Sequence, residues 1–380
     1  MTDTGTPATV APEPALPGLD PELVATELAE KLAARSRHVA LFLGAGAACS
    51  SGLPDLAGLH QRVLETLTPA DSGLIGEVFG DRNLEDGLSR LRRIASLLQG
   101  TETFANLSRD QAIALDEHLC VAIVKAVEIE GVDPEPFVRL ARWVARTDYK
   151  LPVEIFTVNY DLLIETGLER IGVPFFDGFV GTLEAAFRAD LIEPSDATQP
   201  IPPYFARVWK LHGSVNWAYV DRAGRRDVVR KGAAVPGPAA AIYPSEEKYD
   251  DSRRVPFVAL MDRLRRALAE PETVLIVNGY SFQDQHLNEV IFDAATRYPR
   301  SEIFVTCHSK IPTGLAAQAL KTPSLTAVSR DEAILGGRKH SWSREADLPD
   351  LYESKKFLLG DFNYLTRFLA RSATSSTNGA

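Results

Sequence analysis

Cysteines are scarce in this sequence, and none of them is paired in a metal-binding pattern. Cys49, Cys120 and Cys307 are the only ones in 380 residues, and no two form a C-x-x-C pair. This excludes a structural zinc site built on several cysteines. A chain of this length buries enough surface to fold without disulfides, and isolated cysteines suit a reducing compartment.

Long apolar runs and an excess of basic charge are missing as well. No stretch approaches the roughly 20 apolar residues of a membrane-spanning helix, and the first 18 residues resemble no secretory signal. The 41 Lys and Arg residues against 51 Asp and Glu residues give a formal charge of −10. An acidic chain is not generally attracted to nucleic acid or anionic lipid. We therefore expect a soluble cytoplasmic protein, and direct nucleic-acid binding is disfavoured but stays open because a local basic patch is compatible with an acidic chain.

The order of apolar segments predicts one large α/β domain with additions. Residues 1–19 and 371–380 are predicted to be disordered tails, because their composition is polar and lacks periodicity. The main domain is predicted over 20–310, with a helical insertion at about 60–148 and a C-terminal extension over 311–370. Short apolar strands alternate with helices, which predicts a Rossmann-like parallel sheet with helices on both faces. Ligands bind to such sheets beyond the carboxyl ends of the strands.

Four predicted strands end in small or polar residues. These segments are GAGAACSSGLPD (44–55), TVNYD (157–161), LHGSVNW (211–217) and NGYSFQDQH (278–286). Small residues in the first segment let backbone N–H groups approach a phosphate. The segment lacks the lysine of a P-loop, and Cys49 stands where a dinucleotide fingerprint needs glycine. Taken alone, this loop is equally typical of a tight turn.

Single residues at the other strand ends allow both structural and functional interpretations. Asp161 and Asp284 are each explained as helix N-caps, and this interpretation is favoured for Asp284. A lone histidine such as His212 is more often structural, but its place at a strand end favours a function. Ser281, Asp284 and His286 suggest a hydrolase triad, yet the G-x-S-x-G pattern of a nucleophile elbow is absent.

Together and in this order, the four segments resemble motifs of the sirtuin family. Sirtuins carry GAG-x-S-x-x-x-GIPDFR, TQNID, a catalytic HG and a later G-[ST]-S, and the resemblance covers roughly residues 36–310. LHGSVNW, YPSEEKY (243–249) and GYSFQDQHLN (279–288) are most similar to a prokaryotic sirtuin-like branch of antiviral effectors. The resemblance implies an NAD+ glycohydrolase that depletes NAD+ in antiphage defence. It implies NAD+ as substrate and no bound metal.

The resemblance also implies a set of site residues. Asn159 would orient the ribose or the attacking water, neutral His212 would act as general base, and Asp161 would bind the carboxamide or supply negative charge. Asp55 is a second acidic candidate. The residues expected to bind the dinucleotide are Gly44, Ala45, Gly46, Cys49, Pro54, Asp55, Thr157, Gly279, Tyr280 and Ser281.

Several departures from the sirtuin pattern keep other functions open. The zinc cysteines are absent and Leu56-Ala57 replaces Phe-Arg, which counts against an NAD-dependent protein deacylase. A non-catalytic NAD or ADP-ribose sensor is disfavoured because Asn159 and His212 are both retained. Arginine clusters at 222–231 and 253–266 suggest a nucleic-acid-acting subunit, although a solvated face or a subunit contact is favoured. We expect a homo-oligomer, and the resemblance implies a HerA-type hexameric ATPase as partner.

Overall fold

The computed structural model describes residues 16–82, 84–192, 201–222, 225–235, 240–242 and 255–372. The helices in these residues are α1 (Pro21–Ala33), α2 (Ala45–Cys49), α3 (Leu56–Glu65), α4 (Pro69–Phe79), α5 (Leu84–Leu97), α6 (Arg109–Ala126), α7 (Glu135–Arg146), α8 (Leu163–Arg170), α9 (Ala189–Ile192), α10 (Phe257–Ala269), α11 (Gln285–Arg297), α12 (Thr313–Ala319) and α13 (Phe362–Ser372). No helix in this part of the chain is long and apolar enough to cross a membrane.

The strands in the described residues are β1 (Gly18–Leu19), β2 (Val39–Leu43), β3 (Thr103–Phe104), β4 (Leu107–Ser108), β5 (Glu154–Thr157), β6 (Phe175–Phe176), β7 (Phe179–Val180), β8 (Ala185–Phe187), β9 (Ala206–Lys210), β10 (Gly213–Arg222), β11 (Arg225–Arg230), β12 (Ala240–Ile242), β13 (Val274–Asn278), β14 (Glu302–Thr306), β15 (Leu325–Val328), β16 (Glu332–Leu335), β17 (Arg338–Trp342), β18 (Tyr352–Glu353) and β19 (Lys356–Phe357). The segment 243–249, which contributes to the sirtuin resemblance, lies outside the described residues.

The main sheet has the strand order β1-β17-β16-β15-β14-β13-β2-β5-β9-β6. The strands at its centre are parallel. Leu43 on β2 lies opposite Asn278 on β13 and Thr157 on β5, and Thr157 in turn lies opposite Lys210 on β9. The chain proceeds from β2 to β5 and β9 on one side and crosses to β13 and β14 on the other. This places a topological switch point beside β2, where the carboxyl ends of all these strands meet. The predicted Rossmann-like α/β fold is confirmed.

Alternate residues of the central strands pack into two different cores. On β2, Val39, Leu41 and Leu43 face the core that contains α1, α7, α8 and α13. Ala40 and Phe42 face the opposite core, which contains α10, α11 and α12. Because both faces of the sheet are covered, these strands are continuous apolar runs rather than alternating ones. Asp20 caps α1: its side chain accepts a hydrogen bond from the Glu22 N–H at 3.0 Å.

Helices α3 to α6 build a core of their own. The apolar stripe of α5, which includes Leu84, Leu88 and Leu91, packs against α6 residues such as Leu115. Within the predicted insertion this core extends to Val127. Helix α7 belongs to the main core and packs against α8 and α13. The part of the predicted insertion with a separate core is therefore shorter than 60–148.

The C-terminal residues continue the main domain. Strand β15 pairs in parallel with β14, β16 and β17 follow as antiparallel neighbours, and β1 pairs with β17. Residues 18–19, predicted to belong to a tail, are thus part of the sheet, whereas 1–15 and 373–380 lie outside the described residues. Phe362, Leu365 and Phe368 on α13 are buried in the main core. The apolar end of the chain therefore packs on its own domain.

A buried ionic network closes the amino end of the sheet, away from the strand carboxyl ends. Glu154 on β5 is 1% exposed and accepts hydrogen bonds from Trp209 Nε1 at 2.6 Å and Arg263 Nε at 2.8 Å. His38 Nε2 lies 2.9 Å from its Oε1. Burial acts to raise the pKa of the Glu154 carboxyl, but Arg263 and His38 outweigh it and hold the pKa at about 2. The network joins β2, β5, β9 and α10.

We expect Glu154→Gln to lower the free energy of unfolding by about 3 kcal/mol at neutral pH, because it leaves the Arg263 guanidinium without its carboxylate. The pKa of about 2 in the folded state lies below the unfolded value of about 4.3. The contribution is therefore full above about pH 4.3 and is lost as the pH falls towards 2. Urea denaturation of wild type and variant at about pH 7 and about pH 3.5 measures both effects.

The matched control is Glu345→Gln. Glu345 pairs with Lys355 at 2.9 Å, but its side chain is 84% exposed, so its loss is expected to change stability by at most about 0.5 kcal/mol. Equal losses in the two variants at neutral pH would contradict the role assigned to the buried network.

Candidate functional site

A cavity of about 430 Å³ lies beyond the carboxyl ends of β2, β5, β9, β13 and β14. This volume is in the range of small-molecule sites. The loops after these strands, the start of α3 and Val127 of the helical insertion line it. The lining includes ten of the predicted site residues, namely Ala45, Gly46, Pro54, Asp55, Asn159, Asp161, His212, Gly279, Tyr280 and Ser281. Sequence positions far apart in the chain are thus brought together at one edge of the sheet.

The glycine loop after β2 packs backbone to backbone against the loop after β13. Gly44 N–H donates to the Asn278 carbonyl at 3.0 Å, and Gly46 N–H donates to the Gly279 carbonyl at 2.9 Å. Gly279 has a φ of +68°, and a Cβ there would lie 2.1 Å from the nitrogen of Ala47. The glycines are therefore needed for loop contact. The Gly44 and Gly46 N–H groups, expected to hold a pyrophosphate, are already bonded to carbonyls.

Three predicted binding residues are not among those that line the cavity. Gly44 packs in the loop contact, and Cys49 lies exposed at the end of α2. Thr157 is fully buried, and its Oγ1 donates to the Leu43 carbonyl at 2.9 Å and accepts from Asn159 N–H at 3.0 Å. Thr157 thus ties β5 to β2 and fixes the backbone of the residue that follows the strand.

The buried side-chain amide of Asn159 has no hydrogen-bond partner among the residues that the structure describes. The residue is 6% exposed and lines the cavity. Within the described part of the chain, neither Oδ1 nor Nδ2 has a partner. Buried polar groups in folded proteins are nearly always hydrogen-bonded, so such an amide calls for an explanation. Its two donors and one acceptor are available to a bound ligand.

Asp161 lies two residues further along the same loop and is also 6% exposed. Its Oδ1 accepts from Leu163 N–H at 2.9 Å at the start of α8. Burial raises the pKa of the Asp161 carboxyl, although the Lys210 ammonium and the Leu163 N–H act in the opposite direction. Lys210 is 2% exposed, donates to the Asp161 carbonyl and pairs with Glu165 at 3.1 Å. This buried lysine holds the loop that carries Asn159 and Asp161.

His212 pairs with Asp284 across two strand ends. His212 Nε2 lies 3.2 Å from Asp284 Oδ2, while Asp284 Oδ1 accepts from Leu287 N–H at 3.1 Å. The predicted N-cap role of Asp284 is confirmed, but its contact with His212 was missed. Burial acts to raise the pKa of the Asp284 carboxyl, yet the hydrogen bond and charge of His212, the Leu287 N–H and the charge of His286 together lower it.

The loop that presents Asp284 is braced by its own side chains. Tyr280 Oη donates to Asn288 Oδ1 at 3.0 Å and to the Asp284 carbonyl at 3.2 Å. Asn288 Nδ2 donates to the carbonyl of Phe282, a residue with a φ of +58°. The Tyr, Phe, Asp and Asn of the GYSFQDQHLN segment therefore shape one loop, which leaves Ser281 exposed at the cavity.

Residues at the carboxyl end of a fifth strand, β14, form a wall of the cavity that was not predicted. Thr306, Cys307, His308 and Lys310 after β14 line the cavity. The apolar run EIFVT at 302–306 can be recognised as a strand in the sequence, so the rule applied to the other strand ends could have found these residues. Val127 carried no such signal, because an apolar residue near the end of an insertion helix is typical of packing.

Residues 153–327 match the family model of the SIR2-like domain. The matched range begins just before β5 and ends within β15, so it contains Asn159, His212 and Asp284 but not the glycine loop after β2. No curated protein matches the chain. The match supports sirtuin-like family membership, and domains of this kind are typically NAD-dependent enzymes.

We expect Gly279→Ala to lower the free energy of unfolding by about 3 kcal/mol. The new Cβ would clash with the backbone nitrogen of Ala47, and the alanine would have to adopt a positive φ. Chemical denaturation measures the change. The matched control is Gly76→Ala on α4, where an added Cβ has no atom within 4 Å. It should stabilise the protein by about 0.5–1 kcal/mol. A Gly279→Ala variant as stable as wild type would contradict the loop contact.

Proposed function

We propose that the cavity hydrolyses the nicotinamide–ribose bond of NAD+ and releases nicotinamide and ADP-ribose. The observation that carries this proposal is the buried amide of Asn159, which has no hydrogen-bond partner among the described residues and shares the cavity with the His212–Asp284 pair. Directional donors and acceptors beside a histidine suit a sugar hydroxyl or a water molecule. The SIR2-like match over the same residues supports NAD+ as the dinucleotide.

The reaction needs orientation and a base more than it needs an acid. Cleavage of an N-glycosidic bond passes through an oxocarbenium-like transition state, and nicotinamide leaves as a neutral molecule from a cation. Asn159 orients a ribose hydroxyl or the attacking water. The water oxygen bonds to the ribose carbon, its proton goes to His212, and the electron pair of the broken bond goes to nicotinamide. The Asp161 carboxyl contacts the carboxamide or supplies negative charge.

The wall after β14 provides positive charge for the diphosphate. Lys310 and His308 are exposed and line the cavity, and His308 Nε2 lies 3.2 Å from Nη2 of Arg330. Because the Gly44 and Gly46 N–H groups are bonded to carbonyls, the phosphates need another positively charged partner. A lysine ammonium at the edge of the cavity meets that requirement.

Described members of the two basic clusters are engaged within the protein. Arg230 pairs with Asp177 at 2.8 Å and Arg265 with Asp262 at 2.9 Å. Lys231 pairs with Glu184, and Arg263 belongs to the Glu154 network. These contacts support structural and solvated roles for the arginines in preference to nucleic-acid binding.

The biological part of the proposal is an antiphage effector that depletes NAD+. It includes a homo-oligomer that works with a HerA-type hexameric ATPase. This part rests on the resemblance of LHGSVNW and GYSFQDQHLN to prokaryotic sirtuin-like effectors. Assembly with such an ATPase is tested by comparing NAD+ turnover with and without the partner.

We expect Asn159→Ala and His212→Ala each to lower NAD+ turnover at least about a hundredfold. Asn159→Ala should lose no more than about 1 kcal/mol of stability, because the Asn159 amide bonds to no described residue, whereas His212→Ala also removes the contact with Asp284. Liquid chromatography of nicotinamide and ADP-ribose, with and without a HerA-type ATPase, measures turnover. The matched control is His118→Ala, an exposed histidine on α6, which should keep full activity.

Three results would count against hydrolysis at this site. Normal turnover by either variant would remove the residue from the mechanism. Nicotinamide release only in the presence of an acylated peptide would favour a deacylase. NAD+ binding without turnover in any mixture would favour a sensor.

We expect Lys310→Ala to raise the KM for NAD+ about tenfold with little change in kcat, because a diphosphate contact is made equally in the ground and transition states. The effect should shrink at high ionic strength. Lys321→Ala, which alters another exposed lysine outside the cavity, is the control. An unchanged KM for Lys310→Ala would show that the phosphates do not lie against this wall.

A further inference from the structure

The two oxygens of Asp284 have different partners, and both partners must donate. Oδ1 accepts from Leu287 N–H, and Oδ2 lies 3.2 Å from His212 Nε2. An ionised carboxylate has no proton to give. Nε2 of His212 must therefore carry a hydrogen, and in the neutral ring the lone pair is left on Nδ1.

The Asp284 carboxyl is ionised at neutral pH. Burial acts to raise its pKa, but His212, the Leu287 N–H and the nearby His286 lower it below the ordinary aspartate value. A protonated carboxylic acid could donate to Nε2 and select the other tautomer. Because the pKa of Asp284 is lowered, its carboxyl carries no proton at neutral pH and cannot donate to Nε2.

Both partners are held in place by the strand ends that carry them. Leu211 N–H donates to the Thr157 carbonyl at 2.8 Å, which sets His212 beside the loop of Asn159. Gly213, with a φ of +87°, turns the chain directly after His212. On the other side, Tyr280 and Asn288 brace the loop that presents Asp284. The ring and the carboxylate therefore meet in one geometry.

We propose that Asp284 is a positioning residue that keeps the proton of His212 on Nε2 and makes Nδ1 the basic atom of the site. This inference rests on the proposed hydrolysis of NAD+ only for its kinetic consequence. In that reaction the O–H bond of water breaks, its oxygen bonds to the ribose carbon, and its proton goes to Nδ1. The Asp284 carboxylate stabilises the imidazolium that forms, and the proton then leaves to solvent.

The competing explanation is that Asp284 only caps α11. Asp284→Asn separates the two roles because an asparagine Oδ1 still accepts from Leu287 N–H. Its Nδ2 then faces His212 and donates to it, so Nε2 must accept and the ring proton moves to Nδ1. A residue that acted only as a cap would tolerate this change.

The test is nitrogen-15 NMR of histidine-labelled full-length protein without NAD+, together with steady-state kinetics. The His212 signal is assigned by its loss in His212→Gln. We expect a neutral ring with the proton on Nε2 in wild type and on Nδ1 in Asp284→Asn. The kcat of Asp284→Asn should fall at least about a hundredfold while KM changes by less than about threefold.

The matched control is Asp293→Asn, which removes an exposed carboxylate from the same helix, where it pairs with Arg297 at 2.6 Å. It should leave the tautomer and the kinetics unchanged. Thermal denaturation should give both asparagine variants a midpoint within about 4 °C of wild type.

A wild-type ring with its proton on Nδ1 would overturn the inference, and so would an Asp284→Asn variant with unchanged tautomer and kcat. The wild-type spectrum decides the tautomer even if the variant fails to fold. Because the spectrum is recorded without NAD+, it is independent of the proposed function. Absence of NAD+ turnover with the proton found on Nε2 would reject the hydrolase proposal and keep the positioning role.

Discussion

The parallel pairing of β2, β5, β9 and β13 is the constraint on which the candidate site depends. With Leu43 in register with both Thr157 and Asn278, the loops after these strands must leave the sheet at one edge. The loops can then approach closely only because Gly44, Gly46 and Gly279 lack side chains. A shift of β5 against β9 would separate Asn159 from His212, and a Cβ at the glycine contact would push apart the loops after β2 and β13.

The buried polar groups at the two ends of the sheet differ in their hydrogen bonding. At the amino end, Glu154 is hydrogen-bonded by Trp209, Arg263 and His38, so its burial stabilises the junction of three strands and a helix. At the carboxyl end, Asn159 is also buried but has no hydrogen-bond partner among the described residues. The first arrangement is typical of structural support, and the second is typical of a group held ready for a ligand.

Much of this site could be predicted from sequence because strand ends are local features. A buried apolar run followed by Asn159, or by His212 and Gly213, can be recognised without knowing what lies opposite. The N-cap role of Asp284 was predictable for the same reason. Its contact with His212 was not, since it depends on the order of β9, β5, β2 and β13 and on a loop shaped by Tyr280 and Asn288.

The function of the glycine loop could not be predicted from its own sequence. Its composition suits both phosphate binding and close backbone packing, and only the neighbouring loop distinguishes the two. The apolar side chains of α13 are ambiguous in the same way, because burial against α7 and contact with a second subunit need the same residues. In each case the missing information was the partner in space.

The most direct test of the account is a crystal structure of Asn159→Ala grown with NAD+ at a concentration well above its dissociation constant. We expect the nicotinamide ribose between position 159 and His212, with Nδ1 of the ring facing the ribose and the diphosphate near Lys310. A dinucleotide bound elsewhere on the protein, with this cavity free of it, would contradict the central claim.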